Sequence, residues 1–158
     1  MSQRTDQRVK TKEELEVYTK CLKLTSYTME RCKPQNKKDK DGNIVENLHN
    51  VPARYAKVGE LILADAFEIG ADILETNGIY VNANLNREDR LENYKSRFKL
   101  QNHAIRLTFR LEHMIRALND HRPFAGNTLD YWTGLVVDVR TLLIAWRDRD
   151  VRDAKGIG

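Results

Sequence analysis

Residues 129–146 read LDYWTGLVVDVRTLLIAW, with apolar side chains at alternating steps of three and four. The positions in this series are Leu129, Trp132, Val136, Val139, Leu143 and Trp146. Such steps place side chains on one side of an α-helix, where they pack against neighbouring helices. Gly134 lies within the same stretch and favours the close approach of another backbone. The stretch therefore predicts one helix of a packed helical bundle.

Three earlier stretches predict helices of the same kind. The first begins at Thr11, which forms a capping box with Glu14, and ends at Pro34. The second begins at Asn50-Val51-Pro52 and stops near Gly78, and the third is capped by Asn84 or Asn86 and runs to about Asn119. The predicted core stripes are Leu15, Tyr18, Leu22, Thr25, Met29 and Cys32 on the first helix, and Tyr55, Val58, Ile62, Ala66, Ile69 and Ile73 on the second. The third helix carries two apolar stripes, which predicts contact with more than one neighbour.

The length and composition suit one domain. The chain has 158 residues, of which 41% are hydrophobic and 32% are charged, so a single core suffices. We expect an all-α, antiparallel up-down four-helix bundle over residues 11–151. A charged loop occupies 33–50 and contains Asp41-Gly42, which suits a tight turn. Residues 1–10 predict a disordered tail and 152–158 a frayed one.

No catalytic or metal-binding constellation is legible. The serines are Ser2, Ser26 and Ser96, none of them in a glycine elbow. Glu46 and His49 have the spacing of a di-iron motif but fall in the charged loop. We therefore expect no enzyme activity, no metal and no cofactor.

The two cysteines and the hydropathy pattern predict a cytoplasmic protein. Cys21 and Cys32 lie in one helix, roughly 16 Å apart along its axis, which is too far for a disulfide. Free thiols fit a reducing compartment. The sequence contains no run of 18 apolar residues, and it begins with polar residues, so we expect neither a membrane span nor a secretory signal.

Charge is distributed unevenly along a chain whose net charge is +4. Residues 51–86 hold 2 basic and 5 acidic residues, whereas residues 87–122 hold 9 basic and 5 acidic residues. Two of the acids, Asp65 and Asp72, lie beside the stripe of the second helix, where pairing with arginines of a neighbouring helix is expected. The imbalance predicts either attraction between neighbouring elements or a surface for an anionic partner.

Five cations of the third helix are candidate contacts to nucleic-acid phosphates, namely Arg90, Arg97, Lys99, Arg106 and Arg110. At 100° per residue, the last three of these share one strip of the helix surface. A solvated helix face accounts for them equally well. Tyr27 and Tyr131 lie off the core stripes and are candidate contacts to a protein partner.

Short motifs spread over residues 15–150 carry a resemblance to a known family. They are Cys21-Leu22-Lys23-Leu24-Thr25-Ser26-Tyr27-Thr28-Met29-Glu30-Arg31-Cys32, Pro52-Ala53-Arg54-Tyr55, Glu75-Thr76-Asn77, Arg90, residues 97–101, Tyr131-Trp132, and Ala145-Trp146-Arg147-Asp148-Arg149-Asp150. As a set they resemble the small bacterial and phage four-helix-bundle proteins that include the accessory variability determinants of diversity-generating retroelements.

The resemblance implies a non-catalytic partner of a reverse transcriptase that copies a template RNA with adenine-directed errors. It also implies a homopentameric barrel with a basic surface for RNA and polymerase, with Arg147 joining the two tyrosines as a partner contact. A related branch, encoded in intervening sequences of ribosomal RNA genes, shares the fold. For that branch the expectation is a protein-interaction module with no nucleic-acid role, and fold alone does not choose between the two.

Overall fold

The computed structural model describes residues 12–157, which form four α-helices. They are α1 Lys12–Arg31, α2 Ala56–Asn77, α3 Arg87–His121 and α4 Thr128–Ile157, and a short 3-10 helix, Ala53–Tyr55, precedes α2. Each helix packs against the next one along the chain, and α1 packs against α4. Within the described residues there is no β-strand, so the predicted all-helical class is confirmed.

The stripes predicted for α2 and α4 face the core. Ile62, Ala66, Ile69 and Ile73 of α2 are buried, as are the α4 positions Trp132, Val136, Val139, Leu143 and Trp146. The indole Nε1 of Trp132 donates a 3.0 Å hydrogen bond to the Thr28 hydroxyl of α1, which satisfies the polar atom of a fully buried ring. The expectation for Gly134 was wrong, because within residues 12–157, and apart from the adjacent turns of its own helix, a methyl group at this position would meet no atom within 4 Å.

The stripe predicted for α1 was wrong in part, although two of its members, Tyr18 and Cys32, pack against the core. The residues that α1 buries are Glu14, Val17, Cys21, Leu24 and Thr28, whereas Leu15, Leu22 and Met29 are about half exposed. Both sets of positions recur at steps of three and four, and they lie on adjacent sides of the helix. Spacing alone does not distinguish two such stripes, because the rotation of a helix about its axis is set by the helices against which it packs.

The helix ends agree with the predicted capping in part. The side chain of Asn86 accepts a 2.8 Å hydrogen bond from the amide of Asp89, so Asn86 rather than Asn84 caps α3. The helix α4 continues to Ile157, past the predicted end of the bundle at residue 151. Thr11, the predicted tail 1–10 and Gly158 lie outside the described residues.

The loop 33–50 is mostly exposed and contains a small hairpin turn. Gly42 has a φ of +81°, which glycine adopts without steric cost, and an isolated antiparallel bridge joins Lys38 to Ile44. The carboxylate of Asp39 accepts hydrogen bonds from the amides of Asp41 and Asn43. The turn predicted at Asp41-Gly42 is confirmed.

Candidate nucleic-acid interface

Two cations of α3 form an exposed, unpaired basic strip. Lys99 and Arg106 are both exposed, and among residues 12–157 no carboxylate lies within 4 Å of either. Seven residues separate them, so they share one side of the helix and lie about 10 Å apart along its axis. Lys95 continues this side, with a loose contact of 3.8 Å to Glu92. Cations on a rigid helix without local counter-charges can contact the phosphates of a nucleic acid.

The third member of the predicted strip, Arg110, is bound to a carboxylate. Its guanidinium donates bonds of 2.9 and 2.6 Å to the two oxygens of Asp65 on α2. The hydrogen bonds that Arg110 donates to this carboxylate raise the pKa of Arg110, and Asp65 is almost wholly buried. The predicted pairing of Asp65 with an arginine is therefore confirmed. Arg110 stays accessible, but its charge is neutralised where it would meet a phosphate.

The second acid of α2 has a different partner from the one expected. Asp72 Oδ2 lies 2.6 Å from Nδ1 of His103, so the expected arginine is replaced by a histidine. Burial raises the pKa of Asp72, and the hydrogen bond and charge of His103 oppose that shift. Asp65 and Asp72 thus form polar contacts between α2 and α3, and the charge and hydrogen bond of Glu68 add to the rise in the pKa of Asp72.

Arg97 was wrongly predicted to contact phosphates. Its side chain is 2% exposed, and it donates bonds of 2.8 and 3.2 Å to Asp150 of α4. It also contacts Glu14 of α1 at 3.4 Å and donates to the carbonyl of Ile79 at 3.0 Å. A cation enclosed in this way has no access to a nucleic acid. Local spacing does not reveal the enclosure, because the acidic partners of Arg97 lie far away along the chain.

Arg90, another of the five predicted phosphate contacts, lies outside the strip. Its Nε donates a 3.2 Å hydrogen bond to the carbonyl of Val81 in the connection between α2 and α3. Nine residues separate Arg90 from Lys99, which places them on opposite sides of α3. Of the five predicted phosphate contacts, Arg97 is contradicted by its burial, and Lys99 and Arg106 are exposed with no carboxylate within 4 Å among the described residues. The contacts predicted for Arg90 and Arg110 stay predictions.

The three predicted partner contacts do not form one cluster. The rings of Tyr27 and Tyr131 are in contact, with centroids 4.8 Å apart and an interplanar angle of 62°, and Tyr131 is 42% exposed. Arg147 lies elsewhere on α4 and donates bonds to Asn102 at 2.9 Å and to Asp148 at 3.2 Å. The two tyrosines thus form one exposed aromatic pair, and Arg147 is a separate, hydrogen-bonded residue.

A large apolar surface spans α1 and α2. We define the apolar face by Leu15, Leu22, Met29, Phe67 and Leu74, each of which is between 48% and 54% exposed. A shallow groove of about 260 Å³ runs between the two helices, with Gly70 and Ala71 among its lining residues. Contiguous apolar surface of this kind marks a contact with another molecule. The α1 stripe that the sequence assigned to the core thus forms much of this outer surface.

The thiols are not activated for chemistry. Burial raises the pKa of Cys21 to about 11 and that of Cys32 to about 12, so both are protonated at neutral pH. Both cysteines are free thiols. In the described part of the chain, no cluster of three His, Cys, Asp or Glu side chains is arranged to hold a metal ion.

Comparison with known proteins leaves the family open. No family model, curated protein or solved structure matches the chain. Within residues 12–157, no helix is both long enough and apolar enough to cross a membrane.

Proposed function

We propose that this chain is a non-catalytic accessory subunit of a diversity-generating retroelement, which binds the reverse transcriptase and its template RNA. The observation that carries the proposal is the exposed strip of Lys99 and Arg106, whose charges have no acidic partner among the described residues. Structural cations of α3 such as Arg97 and Arg110 are paired with carboxylates, so the two unpaired cations are available to an external anion. The sequence motifs that resemble the accessory variability determinants supply the kind of anion, a template RNA.

Assembly into a homopentamer of up-down bundles is part of the proposal. A closed ring of five copies requires each copy to present two different surfaces to its neighbours. The apolar face on α1 and α2 supports one of these surfaces, because five half-exposed large side chains would be removed from water there. The proposal places the assembly in the cytoplasm, where its RNA and polymerase partners would be made.

The phosphate contacts are tested by the salt dependence of RNA binding. Replacing Lys99 and Arg106 together by glutamine should lower the slope of log affinity against log salt by about 2, because each lost phosphate contact lowers it by about 1. The measurement is a filter-binding or polarisation titration with the template RNA at several salt concentrations. Arg116→Gln serves as the control, since Arg116 is an exposed α3 cation already paired with Glu112 at 2.9 Å. An equal slope for the double variant and the native chain would contradict the proposal.

The partner is tested by co-purification with the reverse transcriptase encoded beside this chain, with and without nuclease. A complex with several copies of the chain per polymerase is the expected result. Failure to associate in either condition would favour the alternative, a module that only makes protein contacts. The exposed apolar face fits that alternative as well, so the RNA titration and the co-purification must be read together.

A further inference from the structure

Aromatic rings and a cation lie together where α1 ends. The guanidinium of Arg31 sits 5.0 Å from the centre of the Tyr27 ring, and Tyr27 in turn contacts the exposed ring of Tyr131. Arginine planes and tyrosine rings are the groups on which unpaired bases stack.

Arg31 also borders a polar cavity of about 380 Å³ between the end of α1 and the loop 33–50. The carboxylates at this cavity each have a cation within 4 Å: Glu30 pairs with Lys33 at 2.9 Å and Glu46 with Arg122 at 3.9 Å. Lys37 borders the cavity too, and neither it nor Arg31 has a carboxylate within that distance among the described residues. Two uncompensated positive charges therefore remain at the cavity.

Hydrogen bonds hold the wall of the cavity in place. The side chain of Gln35 donates to the carbonyl of Val51 and accepts from the amide of Asn47, each at 2.6 Å. Arg122, which directly follows the last residue of α3, donates to the carbonyls of Leu48 at 3.0 Å and Asn50 at 2.9 Å. The loop is thus anchored to the bundle on both sides of the cavity.

Two buried polar atoms of cavity-lining residues have no hydrogen-bond partner in the described part of the chain. They are Nε of Arg31, a donor, and Oδ1 of Asn50, an acceptor. Asn50 is only 6% exposed, so leaving its oxygen unpaired costs free energy. A ligand that offers both an acceptor and a donor would satisfy the pair once the two side chains turn toward the cavity, and the Watson–Crick edge of every nucleobase offers both.

We propose that this site, formed by Arg31, Lys37, Asn50, Tyr27 and Tyr131, binds unpaired nucleotides of an RNA strand. One base edge meets Arg31 and Asn50, a neighbouring base stacks on Tyr131, and Lys37 contacts the backbone. The inference deepens the proposed function, on which it rests for the identity of the strand as template RNA. It adds that the chain holds a single-stranded segment of that RNA, at a place separate from the α3 strip.

The test uses the full chain and a single-stranded adenylate hexamer that carries one 2-aminopurine, read by fluorescence and polarisation. Tyr131→Leu should weaken binding by about fivefold or more, as expected for the loss of one stacked base. Arg31→Lys keeps the charge but removes the planar group and its Nε donor, and it should weaken binding as well. Lys37→Gln, an exposed change with no effect on packing, should lower the salt slope by about 1.

Phe109→Leu is the matched control. Phe109 is 55% exposed and lies under a guanidinium, that of Arg140 at 3.7 Å from its centre, but it does not belong to this cavity. Its hexamer affinity should equal that of the native chain. Duplex RNA should not compete with the hexamer, because its bases are already stacked and paired. Equal affinity and equal salt slope for the native chain and all three site variants would overturn the inference.

The hexamer assay contains neither polymerase nor template RNA, so its failure is distinguishable from failure of the proposed function. Absent hexamer binding with intact co-purification and an intact effect of Lys99 and Arg106 would overturn this inference alone. Hexamer binding without co-purification would support this site and overturn the assignment to a reverse transcriptase.

Discussion

Arg97 joins groups from all four helices through one guanidinium. It lies on α3, contacts Glu14 of α1 and Asp150 of α4, and stands 5.4 Å from the ring of Trp146. Its Nη1 also reaches the carbonyl of Thr76 in α2 at 3.4 Å. A buried cation held by several partners contributes little net stability by itself, but removing it leaves the carboxylate of Asp150 buried without the cation that it binds.

Arg97→Met should therefore lower the free energy of unfolding by about 3–5 kcal/mol. The measurement is urea unfolding followed by circular dichroism, with the protein concentration held constant. Arg116→Met is the control, because Arg116 pairs with Glu112 on the exposed surface of α3, and its loss should cost less than about 1 kcal/mol. Equal losses for the two variants would show that the enclosure of Arg97 has no energetic consequence.

Glu112 and Asp72 should respond to pH in opposite directions. Burial tends to raise the pKa of Glu112, but hydrogen bonds from Arg140 and Arg116 outweigh it and leave that pKa below its usual value. A lowered pKa in the folded state adds stability above the unfolded value, near pH 4, and that stability is lost as the pH falls through the folded pKa. Burial leaves the pKa of Asp72 raised, so its ionisation removes stability as the pH rises from about 4 through the folded pKa.

Stability curves of Glu112→Gln and Asp72→Asn against pH test these signs. The free energy of unfolding of the native chain should exceed that of Glu112→Gln by an amount that grows as the pH rises from about 3 to about 6, a range that brackets the pKa of an ordinary carboxyl group. The excess over Asp72→Asn should shrink over the same range or change sign. Two parallel differences would contradict the conclusions that burial dominates the pKa of Asp72 and that at Glu112 the arginine hydrogen bonds and charges together outweigh burial.

Among the helices, α1 carries two apolar stripes on adjacent sides of its surface. One stripe fills the bundle core, and the next stripe, Leu15, Leu22 and Met29, joins Phe67 and Leu74 of α2 in the apolar face. A helix that needed only to pack within its own bundle would carry polar residues at those positions. The second stripe therefore points to a contact with another molecule, and the proposed assembly places a second copy there.

Leu22→Gln should reduce assembly without weakening the bundle itself. Leu22 is 51% exposed, so its replacement removes little buried surface within one chain, but it introduces a polar group into the proposed contact between copies. The mass of the assembly, measured by light scattering across a concentration series, should fall, while the helical signal stays constant. Leu61→Gln is the control, since Leu61 is also exposed but lies outside the apolar face. Equal masses for both variants and the native chain would remove this face from the interface.

At the scale of the molecule, the pairing of charges matters more than their number. The excess of cations in residues 87–122 predicts a basic surface, yet Arg97, Arg110 and Arg116 are paired with carboxylates. The acidic second segment supplies one of these partners, Asp65, so part of the charge asymmetry is attraction between α2 and α3. The proposed RNA contacts are therefore Lys99 and Arg106 on α3 and the separate site at the end of α1.

Residue patterns were sufficient to predict the four helices, the turn at Gly42 and the core stripes of α2 and α4. They also narrowed the N-terminal cap of α3 to Asn84 or Asn86. These features depend on local backbone preferences and on spacing within one element, which neighbouring residues specify. For α4 the spacing was decisive because Trp132 and Trp146, which lie near the two ends of its stripe, are both fully buried.

The packing of the helices was needed to show which stripe of α1 faces the core and which cations of α3 have no carboxylate partner among the described residues. Those answers depend on groups that lie far apart along the chain, such as Arg97 with Asp150, or Tyr27 with Tyr131. The cavity beside Arg31 likewise exists only because the loop 33–50 folds back and is held by Gln35 and Arg122. Spacing in sequence reports the side of a helix on which a residue lies, whereas its environment is set by the partners that packing brings to that side.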